Sequence, residues 1–267
     1  MSLGDARDPT LLEQLAAIER DADPAVDPAR AVATIRAWGV KLHERLAVDV
    51  SPAHRLRMLH HFFFVELGFV GDVATYDSSD NSYLRRVVER RTGIPISLSV
   101  VYLEIAAAIG LKADGVSFPG HFLVKVAMPE GALLIDVFDR GALLSEPQLR
   151  RRLHAALAGQ PARPLQHYLR AASQNDILVR WLTNLKAIHL ARSDWPQLLA
   201  VARRLVVARP QAADELLVRA LAYERLGCPR AAADDLALCL QLAPDSADQG
   251  AMRERLQRLH RAASALH

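Results

Sequence analysis

The C-terminal third of the chain repeats itself with a period of 34 residues, and this repeat constrains the fold more than any other feature. NLKAIHLARSDWPQLLAVARRLVVARP ends at Pro210, and VRALAYERLGCPRAAADDLALCLQLAP ends at Pro244, 34 residues later. A period of this length is typical of helix–turn–helix repeats. Small residues in each copy allow two helices to pack closely in antiparallel fashion, and each proline ends a helix. The repeat therefore predicts an all-α region over residues 173–267.

The second copy matches the tetratricopeptide pattern of small and aromatic residues, with Ala220, Tyr223, Gly227 and Ala232 in place. A further helix, from about Ser246 to Leu266, is predicted to cap the open end. Because a stable solenoid usually needs about three copies, we expect these two to depend on the rest of the chain. The region forms either a groove for a protein partner or a helical support, and the sequence leaves both open.

Charge and composition argue against a nucleic-acid-binding protein. The 33 basic residues are nearly balanced by 30 acidic ones, so the net charge is only +3 despite a pI near 9.1. The densest basic cluster, Arg150 to Arg152, is interpreted as a solvated helix face, since a nucleic-acid surface needs a concentrated basic face. We expect no nucleic-acid partner.

The cysteines and the apolar segments indicate a cytoplasmic protein. Cys228 and Cys239 form neither a disulfide framework nor a CxxC pair, which favours a reducing compartment. The N-terminus carries early acidic residues and lacks the apolar core of a signal peptide. The longest apolar stretch, ISLSVVYLEIAAAIGL, contains Glu104 and is too short to cross a bilayer comfortably, so no membrane segment is predicted.

That same apolar stretch predicts a buried helix from about Ser97 to Ile109. The free N–H groups at its N-terminus suit an oxyanion or a nucleophile of lowered pKa. Ser97 is therefore either a nucleophile or a helix N-cap, and the residues alone favour the cap. Glu104 lies too far along the helix to act as a base for Ser97, and we expect it to pair with an arginine.

The segment before this helix predicts local structure rather than a metal site. Asp80, Asn81 or Ser82 is expected to cap a helix that Gly93 ends. The acidic residues of the loop lack the spacing of a calcium-binding loop.

Two adjacent histidines upstream do not suggest a metal site either. His60 and His61 lie in a core helix, SPAHRLRMLHHFFFVELGF, and point about 100° apart. They cannot share a metal, so we expect one to be packed and the other exposed.

VSFPGHFLVKV places a histidine at the start of a strand. Phe118 to Gly120 read as a turn, and His121 begins an alternating strand. A four-residue loop, Ala127 to Glu130, would pair Val126 with Gly131 and set His121 opposite Asp136. A carboxylate there would hold the imidazole in one tautomer, which is the base–orienter half of a catalytic triad.

Several motifs in order resemble the SirB-type transglutaminase-like proteins. They are YDSSDNSYLRRVVERRTGIPISLSVVYLEIAAAIGL, GVSFPGHFLVKV and LIDVFDRGALLS, followed by ILVRWLTNLKAIHLARSDW. These bacterial proteins join a transglutaminase-like domain to tetratricopeptide repeats, and a related domain occurs in an animal F-box protein. The resemblance covers residues from about 30 to 260.

The resemblance implies an α+β fold with a papain-like core, in which a central helix presents the nucleophile to an antiparallel sheet. The expected organisation is an N-terminal segment 1–30, a transglutaminase-like domain 31–145 and a connecting segment 146–172. Tetratricopeptide-like repeats with a capping helix follow over 173–267. His121 matches the family's Pro-x-His histidine, and Asp136 its Ile-Asp aspartate.

The sequence departs from true transglutaminases at the nucleophile. Those enzymes place a cysteine at the start of the central helix, whereas GIPISLS, Gly93 to Ser99, contains none. Cys228 and Cys239 lie inside the repeats, where they are poor candidates to reach His121.

Two functions of different class remain. The first is a non-catalytic module, for protein interaction or regulation, that uses the repeats and a vestigial cleft without any cofactor or metal. The second is a hydrolase or acyl-transfer enzyme in which Ser97 attacks, His121 is the base and Asp136 orients it. A serine hydroxyl is a far weaker acid than a thiol, which favours the first. The sequence identifies neither partner nor substrate, and it assigns no oligomeric state.

Overall fold

The computed structural model describes residues 9–242 and 248–264. The chain divides into two compact units, with the division after Trp181. The helices of the first unit are α1 Leu11–Ala22, α2 Pro28–His43, α3 Pro52–His60, α4 Leu84–Arg90, α5 Pro95–Ala108, α6 Glu146–Leu157 and α7 Leu165–Tyr168. A π-helical turn, His61–Glu66, continues α3. Helix α8, Gln174–Ala191, begins in the first unit and ends in the second.

The strands form two small sheets. The parallel pair is β1 Val70–Gly71 and β2 Thr92–Gly93. The antiparallel sheet follows chain order, with β3 Ala113–Val116, β4 Leu123–Met128, β5 Gly131–Asp136 and β6 Ala142–Leu143. This combination of a helical layer and an antiparallel sheet confirms the predicted α+β class.

Helix α5 is the centre of the first unit. Its apolar residues occur on all faces, and accordingly it packs against α2 on one side and against β3 and β4 on another. Leu98, Val101, Tyr102 and Ile105 are fully buried. The helix thus fixes the sheet relative to the N-terminal helices.

The N-terminal segment contributes to this core. Thr10 and Glu13 form a reciprocal capping box that starts α1. Leu12, Leu15 and Ile18 are buried where α1 packs on α2 and α4. Residues 9–30 therefore belong to the compact unit.

Two expectations about side chains near α5 are confirmed. Glu104 pairs with Arg36 at 3.6 Å. The ring of His60 packs against Phe64 and Tyr102, whereas the adjacent His61 is exposed.

The predicted caps of α4 are wrong. Tyr83 is the N-cap residue and makes no side-chain capping bond. Asp80 instead forms an ion pair with Arg86 at 2.9 Å, and Asn81 donates to the Thr75 carbonyl at 2.8 Å. Ser82 ends a short 3₁₀ turn, Ser79–Asn81. These polar groups stabilise the loop, and they do not cap α4 because the helix begins only after the loop ends.

The C-terminal end of α4 also differs from the prediction. The left-handed residue that ends the helix is Arg91, with φ of 56°, rather than Gly93. Gly93 is the last residue of β2 and pairs with Gly71. Helix α5 then starts at Pro95, with Ile94 as its N-cap residue, so Ser97 is the third residue of the helix and not its cap.

The β4–β5 hairpin differs from the predicted register by two residues. Met128 pairs with Gly131 across a two-residue turn, Pro129–Glu130, instead of the predicted loop Ala127 to Glu130. The first residue of β4 is Leu123, so His121 precedes the strand. Because side chains alternate with a period of two, this error leaves every side chain on its predicted face.

The predicted connecting segment 146–172 is folded as part of the first unit. Leu149 and Leu153 of α6 share a buried cluster with Leu165 of α7 and with Val116 and Leu123 of the sheet. The compact unit accordingly extends to Trp181, beyond the end that we predicted for the domain at residue 145.

The second unit consists of the predicted helical repeats. After the end of α8 come α9 Trp195–Ala208, α10 Ala213–Arg225, α11 Pro229–Leu242 and α12 Gln249–Ser264. Leu216, Leu236, Cys239 and Leu259 form its core, with small alanines between the helices. Pro244 and both ends of the predicted capping helix lie outside the described residues. Within the described ranges, no helix has the length and apolar character to cross a membrane.

Candidate functional site

Asp136, the last residue of β5, collects four hydrogen bonds on one buried carboxylate. Its Oδ1 accepts from His121 Nε2 at 2.9 Å and from the backbone N–H groups of Phe138 and Asp139 at 3.1 and 3.2 Å. Its Oδ2 accepts from a guanidinium nitrogen of Arg152 at 2.6 Å. The contact between His121 and Asp136 that the sequence predicted is therefore present.

These donors keep Asp136 ionised. Burial by itself would raise the pKa of this carboxyl group, since a buried charge loses hydration. The hydrogen bonds from His121 and Arg152, together with the positive charge of Arg152, outweigh burial, so the pKa of Asp136 lies below its usual range. The residue is a carboxylate that orients its neighbours, and its lowered pKa makes it a weak base.

A tight turn presents His121 to this carboxylate. The backbone N–H of His121 donates to the Phe118 carbonyl at 3.1 Å, and Arg180 of α8 donates to the same carbonyl at 2.8 Å. Gly120 has φ of 69°, and a Cβ there would lie 3.3 Å from the Ala156 methyl group, which explains the glycine.

One ring nitrogen of His121 is bonded to Asp136, and the other is available. Because Nε2 of His121 bonds to Asp136, Nδ1 is the nitrogen that can serve another group. The Phe138 ring packs edge-on to the imidazole, with ring centres 6.1 Å apart. The ring is thus held in one orientation.

His121 and Asp136 line an open cleft of about 640 Å³. Its lining includes the small residues Gly120, Ala155 and Ala156 as well as Val73 and Phe138. Val73 is 80% exposed, which is unusual for an aliphatic side chain. The lining thus combines small residues with apolar side chains, which leaves room for an extended chain.

Ser97 is not among the residues described as lining this cleft. Its side chain is fully buried. The hydroxyl accepts from the Ile94 N–H at 3.0 Å and is 3.1 Å from the Ile94 carbonyl, to which it donates. Both hydrogen-bonding functions of the hydroxyl are used by the first turn of α5. The structure brings His121 and Asp136 together and leaves Ser97 in the core.

The sequence reasoning missed Arg152. We assigned Arg150 to Arg152 to a solvated helix face, whereas Arg152 is half-buried on Asp136. A signal did exist, because Arg152 lies next to Leu153 and three residues after Leu149 on an amphipathic helix. Sequence alone could not show which carboxylate it meets.

Metal binding has no visible basis in the described part of the chain. Among those residues, no group of three or more His, Cys, Asp or Glu side chains could hold an ion. Cys228 is exposed, Cys239 is buried, and both belong to the repeats.

Residues 29–183 match the family model of the transglutaminase-like superfamily. The chain belongs to this superfamily. Residues 185–257 match a tetratricopeptide repeat model, which confirms the predicted combination.

Bacterial UPF0162 proteins resemble this chain over most of its length. The one from Xylella fastidiosa is 37% identical over 204 residues, which cover 76% of this chain and 73% of that protein. The one from Pseudomonas aeruginosa is 32% identical over 255 residues, or 94% and 91% of the two chains. These relatives confirm the predicted SirB-type membership.

Human F-box only protein 21 is 37% identical to this chain over 84 residues, which cover 32% of this chain and 13% of that protein. No solved structure matches the chain.

Proposed function

We propose that this protein is a non-catalytic transglutaminase-like module that binds a protein partner through its cleft and its helical repeats. The observation that carries the proposal is the environment of Ser97. Its hydroxyl is buried and bonded to both polar groups of the Ile94 backbone, and no cysteine lies at the start of α5. The position of the family nucleophile is thus structural.

The rest of the site supports binding rather than turnover. Asp136 already has four donors, so it stabilises the walls of the cleft. Small residues and an exposed valine line the cleft, which favours contact with an extended segment of another protein. Tetratricopeptide repeats are, in general, extended binding surfaces. A regulatory role would follow if the bound partner were an enzyme or a transcription factor.

The absence of a disulfide framework favours a cytoplasmic setting. Cys228 and Cys239 are both free, as expected of a protein from a reducing compartment.

The alternative is a hydrolase or acyl-transfer enzyme that uses Ser97, His121 and Asp136. The hydrogen bond between His121 and Asp136 in an open cleft favours it, since a base and its orienter are in place. A reaction would require the Ser97 hydroxyl to leave both Ile94 bonds and reach the cleft. Replacement of a thiol by a less acidic hydroxyl does not by itself supply the activation that such an attack needs.

A fluorophosphonate reagent separates the two functions. We expect no labelling of Ser97 in the wild-type protein. Stoichiometric labelling that disappears in His121→Ala would support the hydrolase and exclude the module.

Site-specific photo-cross-linking tests partner binding directly. A photoreactive residue replaces Val73 in the cleft, Val207 in the repeats or Val48 in the loop before α3, because these valines are 80%, 81% and 87% exposed. We expect the same partner protein to be captured from Val73 and from Val207, and not from Val48. Equal capture at all three positions would argue against a binding surface in either region.

A further inference from the structure

The segment from residue 147 to residue 175 contains no acidic residue and carries an excess of positive charge. It includes Arg150, Arg151, Arg152, Arg163 and Arg170, together with two histidines. Such a bias over 29 residues departs from the balanced charge of the whole chain. The imbalance is local to α6, α7 and the connection between them.

Only part of this charge is neutralised within the described residues. Arg152 bonds to the buried Asp136, and Arg150 pairs with Glu146 on the same helix. The second pair is weak, because both side chains are more than half exposed. Arg151, Arg163 and Arg170 make no ion pair in the described part of the chain.

A pocket of about 240 Å³ opens among these charges, on the face of α6 away from the cleft. We call it the basic pocket. Leu153, Leu157 and Leu165 form its apolar floor, with Pro164 beside them, and Arg150, His154 and Arg163 stand at its rim. An apolar floor beneath a cationic rim suits a ligand that carries negative charges around a single aliphatic group.

We propose that the basic pocket binds an acidic segment of a partner protein, with one aliphatic side chain inserted between α6 and α7. The carboxylates of that segment would lie on Arg163, Arg150 and His154, which lack strong internal partners. The inserted side chain would cover Leu157 and the exposed edge of Pro164. This surface is separate from the cleft, so the proposal does not depend on the function assigned there.

The chemistry of the floor favours a peptide over RNA or DNA. Single-stranded nucleic acids bind by stacking bases on aromatic rings above a basic groove. None of the residues described as lining the basic pocket is Phe, Tyr or Trp. Leucines and a proline instead fit an aliphatic side chain.

The state of His167 agrees with an unneutralised surface. Its Nε2 lies 3.1 Å from Arg163, whose guanidinium donates to it. Partial desolvation, together with the charges of Arg170 and Arg163, lowers the pKa of His167. A bound carboxylate on Arg163 would reverse the charge effect.

Fluorescence anisotropy with two labelled peptides tests the proposal on the full-length protein. The probe EELEE carries the leucine, and EEQEE has the same charge without it. We expect EELEE to bind about tenfold more tightly, since burial of one leucine side chain is worth about that factor or more. Equal affinities would overturn the proposal, as would no binding of either peptide at millimolar concentration.

Charge reversal at the rim locates the site. Arg163→Glu and His154→Glu should each weaken EELEE binding by about tenfold, and both positions are exposed, so folding is preserved. The control is Arg30→Glu, an exposed position on α2, whose main contacts are with α1, α4 and α5. An equal loss in Arg30→Glu would show non-specific attraction and overturn the site. Tighter binding of a labelled uridine pentamer than of EELEE would overturn the choice of a peptide.

Discussion

The C-terminal end of β5 and the N-terminal turn of α5 each centre on one buried polar side chain, but they have opposite relations to solvent. At β5, Asp136 is buried while its partners His121 and Arg152 reach an open cleft. At α5, Ser97 and its partner Ile94 are both buried. In a catalytic transglutaminase-like site these two regions would meet at one reacting atom. Here the first region faces an open cleft and the second lies in the core.

The difference separates two kinds of structural contribution. The Asp136 network stabilises the turn that carries His121, so it contributes to folding whether or not a reaction occurs. The α5 turn contributes through packing, because Gly93 allows Ser97 to approach closely. Each region therefore has a structural role that mutation can measure separately from function.

The largest effect is expected for Asp136→Ala. The substitution leaves Arg152 and two backbone N–H groups without their acceptor, and we expect a loss of about 3–5 kcal/mol in the free energy of unfolding. Urea denaturation measures this loss. Asp139→Ala is the control, since Asp139 is exposed at the same cleft and should change stability by only about 0.5 kcal/mol. Similar values for the two variants would contradict a structural role for the Asp136 network.

Gly93→Ala should cost about 1–3 kcal/mol of unfolding free energy through overpacking. A Cβ at Gly93 would lie 2.5 Å from Ser97 Oγ and 3.3 Å from side-chain carbons of Val87 and Leu98. Since the closest clash is with the hydroxyl, the double variant with Ser97→Ala should cost less than the sum of the two single variants. Strict additivity in denaturation experiments would show that the α5 turn is more open than described.

Ser97→Ala should cost about 1 kcal/mol, the usual value for a lost capping hydrogen bond. Ser99 is a matched control, because it is equally buried on the same helix but its hydroxyl has no hydrogen-bond partner among the described residues. Ser99→Ala should be neutral or slightly stabilising. A reversed order in thermal unfolding would contradict the structural role of Ser97.

The last effect concerns acid stability next to the α5 turn. Asp72, whose backbone N–H donates to the Gly93 carbonyl, accepts hydrogen bonds from Thr75 and Arg90, and hydrogen bonds to its carboxylate lower its pKa to about 2. A lowered folded pKa means that its contribution is present above the unfolded value near 4 and is lost as the pH falls towards about 2. Wild type should therefore lose its advantage over Asp72→Asn across that range. A constant difference in unfolding free energy between pH 6 and pH 2 would contradict this.

The buried central helix and the repeat helices were predictable because each rests on local periodicity, whereas the α+β class followed from the family resemblance. The contact between His121 and Asp136 was predicted from a register that is wrong by two residues. It survived because an even shift keeps both side chains on the same face of the hairpin. The predicted caps of α4 and α5 failed because a cap depends on the exact residue at which the helix begins. Several polar residues stood near each helix start, and a shift of one or two residues changes which one caps.

The sequence by itself determined the central helix, the β4–β5 hairpin and the helical repeats, and that no cysteine stands at the start of α5. Those properties follow from neighbouring residues and from composition. Only the tertiary structure decided that Arg152 meets Asp136 and that α6 carries a cleft on one face and a pocket on the other. These contacts join residues whose approach depends on how helices pack on the sheet. Local periodicity carries no information about that packing.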